Sequence, residues 1–309
     1  MTKNIYLQSP LNYTGGKFKL LPQIMPYFPQ NINTFVDLFC GGGNVGCNIV
    51  SERVIFNDIE PHVINLLSTF KKVEEDVIFN VINSVIDKYK LSRVDKNGYD
   101  FYKCDSSNGV ALYNKDKFIK LREYFNGINP PFDDEYYLMF YTILIFAFNN
   151  QIRFNSKGEY NMPVGKRDFN EKMQTKLKLF INKLKNINCI FTNNDFRKLK
   201  VEKLNNDDFV YCDPPYLITT ASYNESNGWT EKDEIDLLDK LSEINDKGIK
   251  FALSNVLTSK NKKNNLLSEW LLKNPKYNCV HLNYNYSNSN YHTKNRETDN
   301  TDEILIKNY

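Results

Sequence analysis

The sequence predicts an α/β fold in which a Rossmann-like sheet is interrupted by a mostly helical insertion that carries a β-hairpin. Short apolar runs typical of buried strands occur near the start of the chain and again in its second half, whereas the residues between them show long helical patterns. A glycine-rich loop also joins the first two strands, as in a parallel β–α–β unit. These observations place the sheet domain at residues 1–60 and 171–309 and the insertion at residues 61–170.

Composition alone excludes few classes of protein. The 309 residues are 41% hydrophobic and 14% aromatic, which is enough for a full core. With 40 basic and 37 acidic residues the net charge is only +3, which neither requires nor excludes a nucleic-acid partner. The six cysteines form no CxxC pair and show no zinc spacing, which predicts reduced thiols in a cytoplasmic protein without a metal site. The longest apolar stretch, residues 138–148, is too short to cross a bilayer.

The elements can be assigned in order along the chain. The first strand covers residues 34–39, the glycine loop covers residues 40–46, and a helix is expected to start after the loop. Later strands are predicted at residues 53–58, 189–192, 209–212, 249–253, 277–282 and 303–307. Helices are predicted at residues 18–25, 63–70, 77–89, 118–125, 136–146, 231–244 and 265–272. Residues 283–300, rich in Asn, Tyr, Ser and Lys, are expected to form a long mobile loop.

The glycine loop satisfies the dinucleotide-binding fingerprint with Gly41, Gly43 and Gly46, and Asp58 follows about 20 residues beyond Asp37. Glycines let the backbone approach a ligand closely, and the acid after the second strand can accept hydrogen bonds from ribose hydroxyls. The pattern fits NAD, FAD and S-adenosylmethionine alike, because each carries an adenosine ribose. By itself it indicates only an adenosine-containing ligand.

A second glycine turn near the amino terminus carries Tyr13 and Lys17. It is either an ordinary tight turn or a ligand clamp, in which Lys17 binds a carboxylate and Tyr13 lies over the ligand. A dinucleotide has no amino-acid tail for such a clamp, whereas S-adenosylmethionine has one. Further along, Asp195 and Phe196 follow a predicted strand, where the ring would stack on adenine and the carboxylate would hold its amine.

The most informative motif follows the strand at residues 209–212 and reads Asp213-Pro214-Pro215-Tyr216. Two prolines can simply end a strand. The motif also places a carboxylate, and carbonyl groups without competing N–H donors, beside a flat ring. This combination suits the exocyclic amine of a planar heterocycle, which would donate to Asp213 while its ring lies against Tyr216.

Residues 151–163 are predicted to form the β-hairpin, with a glycine in its turn. Most hairpins are only structural. This one carries Arg153 near its base and Arg167 just beyond it, and arginine can bind the edge of guanine through two hydrogen bonds. Phe148, beside Asn149, is expected to wedge into a base stack. The segment therefore suits the reading of a DNA groove.

Taken in order, these motifs resemble the Dam family of DNA adenine-N6 methyltransferases, which belongs to the α-group of amino-methyltransferases. The likeness covers essentially the whole chain and is greatest to the Dam enzymes of T-even bacteriophages. It rests on residues 13–15, 35–42, 57–59, 165–167, 213–219, 248–251, 253–257 and 301–303. The resemblance implies a sheet of the S-adenosylmethionine-dependent methyltransferase type with an inserted DNA-recognition domain.

The resemblance also implies an activity: transfer of a methyl group from S-adenosylmethionine to N6 of an adenine flipped out of double-stranded DNA, which leaves S-adenosylhomocysteine. No metal, membrane or obligate protein partner is expected, and the protein would act at the nucleoid, in the cytoplasm of a bacterial or phage-infected cell. The implied catalytic residues are Asp213, Pro214, Pro215 and Tyr216. The implied cofactor-binding residues are Tyr13, Lys17, Asp37, Phe39, Gly41, Asp58, Asp195, Phe196 and Asp213. The implied DNA-binding residues are Phe148, Asn149, Gln151, Arg153, Pro163 and Arg167.

Two residues depart from the family pattern. Asn12 stands where relatives carry a lysine or an alanine before the aromatic residue, and Gln151 stands where they carry an apolar residue two positions before Arg153. By similarity the target is GATC. An apolar residue at position 151 suits a thymine methyl group, whereas glutamine prefers to hydrogen-bond adenine, so the third base is the least determined.

Three other classes of function compete with this interpretation. An NAD-dependent oxidoreductase would share the glycine loop but would leave the Asp213 motif, the basic hairpin and Lys17 unexplained. A DNA-binding protein with a degenerate methylase domain would not need these motifs to be intact. Methylation of RNA adenine or of a protein amide uses a similar pocket, usually with asparagine at the position of Asp213. A thermal shift with S-adenosylmethionine but not with NAD would exclude the oxidoreductase.

Overall fold

One eight-stranded sheet organises the chain. The computed structural model describes residues 6–219, 228–283 and 301–309, so nearly all of the loop expected at residues 283–300 lies outside the described residues. The strands are β1 Thr34–Asp37, β2 Arg53–Asn57, β3 Cys189–Thr192, β4 Phe209–Cys212, β5 Lys250–Ser259, β6 Lys262–Lys263, β7 Asn278–Leu282 and β8 Asp302–Lys307. Their order across the sheet is β3-β2-β1-β4-β5-β8-β7, and β6 pairs with the end of β5.

The strand directions create a switch point, where open α/β sheets form a crevice. The strands from β3 to β5 run parallel, whereas β8 runs antiparallel to both β5 and β7. β1 pairs with β2 on one side and with β4 on the other, so the order of the strands reverses at β1. In open α/β sheets, ligands bind at such a switch point, beyond the carboxyl ends of the strands. The predicted Rossmann-like sheet is confirmed.

Most helices lie where the apolar periodicity predicts them. They are α1 Leu21–Ile24, α2 Pro61–Lys72, α3 Glu75–Lys88, α4 Val94–Asn97, α5 Ala111–Asn126, α6 Asp134–Phe146, α7 Glu171–Lys185, α8 Glu231–Asp246 and α9 Asn265–Lys273. Polar caps explain two of the starts: Asp133 accepts from the N–H of Tyr136 in α6, and Thr230 and Asp233 form a capping box on α8. Over the ranges described, none of these helices has both the length and the apolar character needed to span a membrane.

The glycine loop lies where it is predicted, but the helix expected after it does not form. Residues 41–48 are consecutive turns, and no helix follows them before β2. Gly41 and Gly43 have positive φ values of 46° and 75°, which lie outside the helical region. The N–H of Gly46 donates to Oδ2 of Asp37 at 2.9 Å, so a side chain of β1 adds to the backbone bonds that hold the loop.

Apolar residues cover both faces of the sheet, as buried parallel strands require. On one face, Phe56 and Tyr211 pack in a cluster with residues of the helices between β2 and β3, including Tyr141. On the other face, Val210 packs with residues of α8 and α9, including Leu237. The insertion therefore shares an apolar core with the sheet, and the domain boundaries at residues 61 and 170 stay a prediction.

The predicted hairpin is present but short. A single antiparallel bridge between Phe154 and Tyr160 closes a turn that contains Gly158 at a φ of 78°. Asn126, the last residue of α5, exchanges two side-chain hydrogen bonds of 2.9 and 3.0 Å with the backbone of Tyr160. The side chain of Tyr160 is only 1% exposed. The hairpin is thus anchored to the insertion through α5 more than through its own ladder.

Gly46→Ala should destabilise the fold. A Cβ at this position would lie 2.3 Å from Cε1 of Phe56, whose ring is fully buried. Overpacking of this kind lowers the free energy of unfolding by about 1–3 kcal/mol. Gly127→Ala is the matched control, because its nearest neighbours would lie at 3.5 Å. Chemical denaturation measures both variants, and equal stabilities would contradict the packing argument.

Candidate active site

Three carboxylates converge at the crevice beyond the carboxyl ends of β1, β2 and β4. Asp37 is the last residue of β1, Asp58 follows β2, and Asp213 follows β4. Asp37 and Asp58 are buried, and the side chain of Asp213 is 16% exposed. Because adjacent parallel strands end at the same edge, Asp37 and Asp58, which flank the glycine loop, come together with Asp213.

Lys17 and Tyr216 both contact Asp213. The Nζ of Lys17 lies 2.7 Å from Asp213 Oδ1 and 4.9 Å from the centre of the Tyr216 ring. The hydroxyl of Tyr216 donates to the same Oδ1 at 3.1 Å. Burial raises the pKa of Asp213, and the Lys17 ammonium opposes this shift. The amino-terminal turn is thus fastened to the Asp213 motif, and the predicted contact of Lys17 with a cofactor carboxylate stays a prediction.

Glu303 is a fourth carboxylate at this edge, and the sequence analysis did not identify it as a site residue. Its Oε1 accepts from the Tyr216 hydroxyl at 3.1 Å and lies 3.6 Å from Nζ of Lys17. Its side chain is only 1% exposed. The signal that could have revealed it is an acid inside an otherwise apolar strand, since an unpaired buried carboxylate is costly.

Burial shifts the pKa values of two of the acids upward. It raises the pKa of Asp37 to about 8, and the charges of Asp213 and Asp58 add to that shift. It raises the pKa of Asp58 to about 6, although the N–H groups of Glu60 and Gly41 donate to this carboxylate at 3.0 and 2.8 Å. A cation bound at this edge of the sheet would therefore favour the ionised forms of both carboxylates.

Tyr13 lies directly on the glycine loop. A Cβ at Gly41 would be 2.8 Å from Cδ1 of the Tyr13 ring, so the contact requires glycine at this position. The backbone N–H of Gly41 donates to Oδ2 of Asp58 at 2.8 Å. Tyr13, Gly41 and Asp58 are thus brought together, as predicted for parts of one binding surface.

An aromatic cluster borders the loop. The ring centres of Phe39 and Phe196 are 5.4 Å apart. The ring centre of Trp229 lies 5.9 Å from that of Phe39 and 5.6 Å from that of Phe196. The Nε1 of Trp229 donates to Oε2 of Glu234 at 2.7 Å, and Glu234 is fully buried. Trp229 is a second residue that the sequence analysis missed. It precedes α8 by a single cap residue and follows no motif that would mark it.

Asp195 is engaged by its neighbour Arg197. Its carboxylate accepts from the backbone N–H of Arg197 at 2.8 Å and pairs with the guanidinium at 3.0 Å. The same guanidinium binds Asp236 of α8 at 2.7 Å and also contacts Asp233. The structure therefore gives Asp195 a capping role next to Phe196, and its predicted contact with adenine stays a prediction.

Several of the predicted DNA-binding residues lie in the segment that follows α6. Phe148 is 46% exposed, and Asn149 has a left-handed φ of 53°, a conformation that asparagine tolerates better than most residues. Gln151 forms a parallel bridge with Asn12, and Nδ2 of Asn12 donates to the carbonyl of Asn149 at 2.5 Å. Asn12 and Gln151, the two residues that depart from the family pattern, are therefore neighbours. They connect the amino-terminal turn to the segment that follows α6, which we call the recognition segment.

The remaining predicted contacts border this segment. Arg153 donates from Nε to Oδ1 of Asn161 at 2.7 Å and from Nη2 to the Asn161 carbonyl at 3.2 Å, so its own hairpin orients it. Pro163 and Arg167 are exposed, and the Pro163 carbonyl accepts from the N–H of Phe148 at 2.8 Å. The structure thus joins Phe148 and Pro163 directly.

Comparison with known proteins agrees with this geometry. The profile of the family described as D12 class N6 adenine-specific DNA methyltransferase matches residues 13–288. Over 99% of its length the chain is 41% identical to the Type II methyltransferase M.FokI of Planomicrobium okeanokoites, and over 98% it is 37% identical to the modification methylase StsI of Streptococcus sanguinis. It spans 43% of the length of each of these relatives. A DNA adenine methylase of Haemophilus influenzae is 32% identical over 67% of this chain and 63% of that protein.

These matches support the predicted family, while the greater likeness to the enzymes of T-even bacteriophages stays a prediction. The family profile spans the amino-terminal turn, the glycine loop, the insertion and the Asp213 motif in one continuous alignment. The chain belongs to the D12 class of N6 adenine-specific DNA methyltransferases.

Proposed function

We propose that this chain transfers a methyl group from S-adenosylmethionine to N6 of adenine in double-stranded DNA. The observation that carries the proposal is the placement of Asp213 at the switch point of the sheet, in a chain of the adenine-specific class. The carboxylate of Asp213 and the carbonyl of Pro214 offer two acceptors, which match the two hydrogens of the adenine amine. Methyl incorporation into an adenine-containing duplex tests this assignment.

The residues around the crevice fit S-adenosylmethionine. The glycine loop lets a ligand approach the backbone, and a sulfonium cation would favour the ionised forms of Asp37 and Asp58, whose pKa values are raised chiefly by burial. Asp58 would bind the ribose, and Phe39 and Phe196 would contact the adenine ring. Among the residues described, His, Cys, Asp and Glu side chains form no group of three placed to hold a metal ion.

The target adenine would leave the duplex, because a stacked base cannot enter the crevice at Asp213. The ring of Tyr216, which is partly exposed beside Asp213, offers a flat surface on which the flipped base would stack. At the insertion, the exposed ring of Phe148 is suited to fill the gap left in the base stack. Both aromatic residues thus support base flipping.

The chemistry requires orientation more than acid–base strength. The N6 lone pair is delocalised into the adenine ring, so N6 is a weak nucleophile. Hydrogen bonds from its two hydrogens to Asp213 and the Pro214 carbonyl would draw the nitrogen toward tetrahedral geometry and aim the lone pair at the methyl group. S-adenosylmethionine supplies that methyl on a positively charged sulfur. The residues of the chain orient the amine, exclude water and accept the proton that N6 loses, without a covalent enzyme intermediate.

GATC, the target expected from the resemblance, stays a prediction. The matches to the two Type II enzymes cover 98–99% of the chain at 37–41% identity, whereas the match to the Haemophilus DNA adenine methylase covers 67% at 32%. Gln151, expected near the third base, also departs from the Dam pattern. We therefore propose GATC as the first candidate and another adenine-containing Type II site as the second. Either would place the activity at the nucleoid, in the modification arm of restriction–modification.

Asp213→Ala should abolish methyl transfer while DNA binding is largely retained, because the variant loses an acceptor for the amine but none of the predicted DNA contacts. Tritiated methyl incorporation and a gel-shift assay measure the two properties. Asp207→Ala, an exposed position before β4, is the control and should remain active. Near wild-type incorporation by the Asp213 variant would refute the proposed role of this carboxylate.

Arg153→Ala should relax sequence preference, with a loss of about 1–3 kcal/mol on the specific site if the guanidinium binds guanine. Single-molecule sequencing of DNA from cells that express each form maps the methylated sites. Lys157→Ala, at the exposed tip of the same hairpin, is the control. Equal losses on specific and random duplexes would instead make Arg153 a phosphate contact. The wild-type map decides between GATC and a different site.

The affinity for S-adenosylmethionine should rise with pH as pH approaches 8. Asp37, whose pKa is about 8, is protonated at lower pH, and a bound cation favours its ionised form, so binding releases a proton. Below pH 8 the Kd should fall by up to about tenfold per pH unit. Asp37→Asn keeps an acceptor for the Gly46 N–H but cannot ionise, so its Kd should vary less. Calorimetric titration at several pH values measures this, and identical slopes for both proteins would exclude Asp37.

A further inference from the structure

Two carboxylates compete for two donors beside the Asp213 motif. Lys17 Nζ lies 2.7 Å from Asp213 Oδ1 and 3.6 Å from Glu303 Oε1. The single hydroxyl of Tyr216 lies 3.1 Å from each of the same two oxygen atoms. One hydroxyl proton can be donated to only one acceptor at a time. Lys17 Nζ also donates to the Gly15 carbonyl at 2.9 Å, so the two carboxylates share the remaining capacity of the ammonium and the single hydroxyl of Tyr216.

The direction of β8 explains why Glu303 reaches this set. Glu303 is the second residue of β8 and pairs with Val256 of β5 and Leu282 of β7. Because β8 runs antiparallel to β5, its amino-terminal end lies at the edge where the parallel strands have their carboxyl ends. The carboxylate is thereby delivered to the catalytic edge from a strand that carries none of the residues predicted to be catalytic or cofactor-binding.

The surroundings of Glu303 make it more than a packing residue. Its side chain is 1% exposed, and that of Lys17 is 4% exposed, so both charges are withdrawn from water. A buried carboxylate is costly, and an apolar side chain of similar size at this position of a strand would avoid that cost. The Tyr216 and Lys17 contacts with Asp213 both fall on Oδ1. Oδ2 is then the atom that an incoming amine would use.

We propose that Glu303 is a positioning residue for methyl transfer: by taking a share of the Lys17 ammonium and the Tyr216 hydroxyl, it keeps Asp213 available to the target amine. The inference rests on the proposed adenine methylation. Without the Glu303 charge, Lys17 and Tyr216 would both turn to Asp213. The carboxylate would then be a weaker acceptor for the N6 hydrogens, and the Tyr216 ring would be less firmly oriented for the flipped base.

The pH profile separates this role from a purely structural one. Asp213 is bound by Lys17 and Tyr216. It also interacts electrostatically with Glu303, Asp37 and Tyr211. The charge of Glu303 raises the pKa of Asp213, so removing that charge should lower this pKa. The acidic limb of the single-turnover rate should then move to lower pH. A loss of packing alone would leave that limb where it is.

The test is Glu303→Gln, assayed as the full chain with S-adenosylmethionine and a duplex that the wild-type protein methylates. The expected result is a fall in the single-turnover rate of about 10- to 100-fold at the pH optimum, as for misplaced catalytic groups, with the acidic limb shifted to lower pH. The Kd values for S-adenosylmethionine and DNA should stay within about twofold of the wild type. A wild-type rate and an unmoved limb would overturn the inference.

Asp302→Asn is the matched control, because it removes a carboxylate from the adjacent position of β8. Asp302 pairs with His281 at 2.7 Å, away from the Asp213 set, so its rate and pH profile should match the wild type. Equal effects of both variants would overturn the specific role of Glu303. If Glu303→Gln does not fold, Glu303→Asp keeps the charge but shortens its reach. A wild-type rate in that variant would also overturn the inference.

The activity of the wild-type protein distinguishes a failure of the proposed function from a failure of the role proposed for Glu303. If it places no methyl group on adenine in any duplex, the proposed function fails, whatever Glu303 does. If it methylates adenine and Glu303→Gln is indistinguishable from it, the proposed function stands and only the role of Glu303 is lost.

Discussion

The candidate site depends on one ammonium group that is shared between two carboxylates with little exposure to water. Lys17 bridges Asp213 and Glu303, which would otherwise repel each other at the edge of the sheet. The same contact fixes the amino-terminal turn, which sets Tyr13 on the glycine loop and places Asn12 against the recognition segment. A single ion-pair set therefore links the turn that contacts the glycine loop, the Asp213 motif and the insertion.

Local patterns allowed the sheet to be predicted well. β3 and β4 have the predicted bounds, because short apolar runs flanked by polar residues leave few alternatives. The helix expected after the glycine loop does not form, since the positive φ values of Gly41 and Gly43 and the bond from Gly46 to Asp37 favour turns. That outcome depends on packing against β1 and on a side-chain acceptor, neither of which is visible in the local sequence.

The site was only partly predictable, for a reason of topology. Asp37, Asp58 and Asp213 could be placed together because each lies near the carboxyl end of a predicted parallel strand or directly after it. Glu303 could not, since its position depends on β8 running against its neighbours. Trp229 was missed because its partner, Glu234, is a turn further along in a helix whose acidic residues look like a solvated face. The contact between Asn12 and the recognition segment, in turn, requires knowing how the insertion lies on the sheet.

The position of β8 between β5 and β7 also orders events during biosynthesis. β8 leaves the ribosome after both of its neighbours, and 87 residues separate Tyr216 from the glutamate that it binds. Until β8 has been synthesised, β5 of the nascent chain would be an open edge strand. Such edges tend to pair with other chains. Insertion of the last strand closes that edge and delivers the second carboxylate in the same step. The pairing of β5 and β7 with β8 and the placement of Glu303 beside the Asp213 motif are therefore completed together, and a product that ends before β8 would lack both.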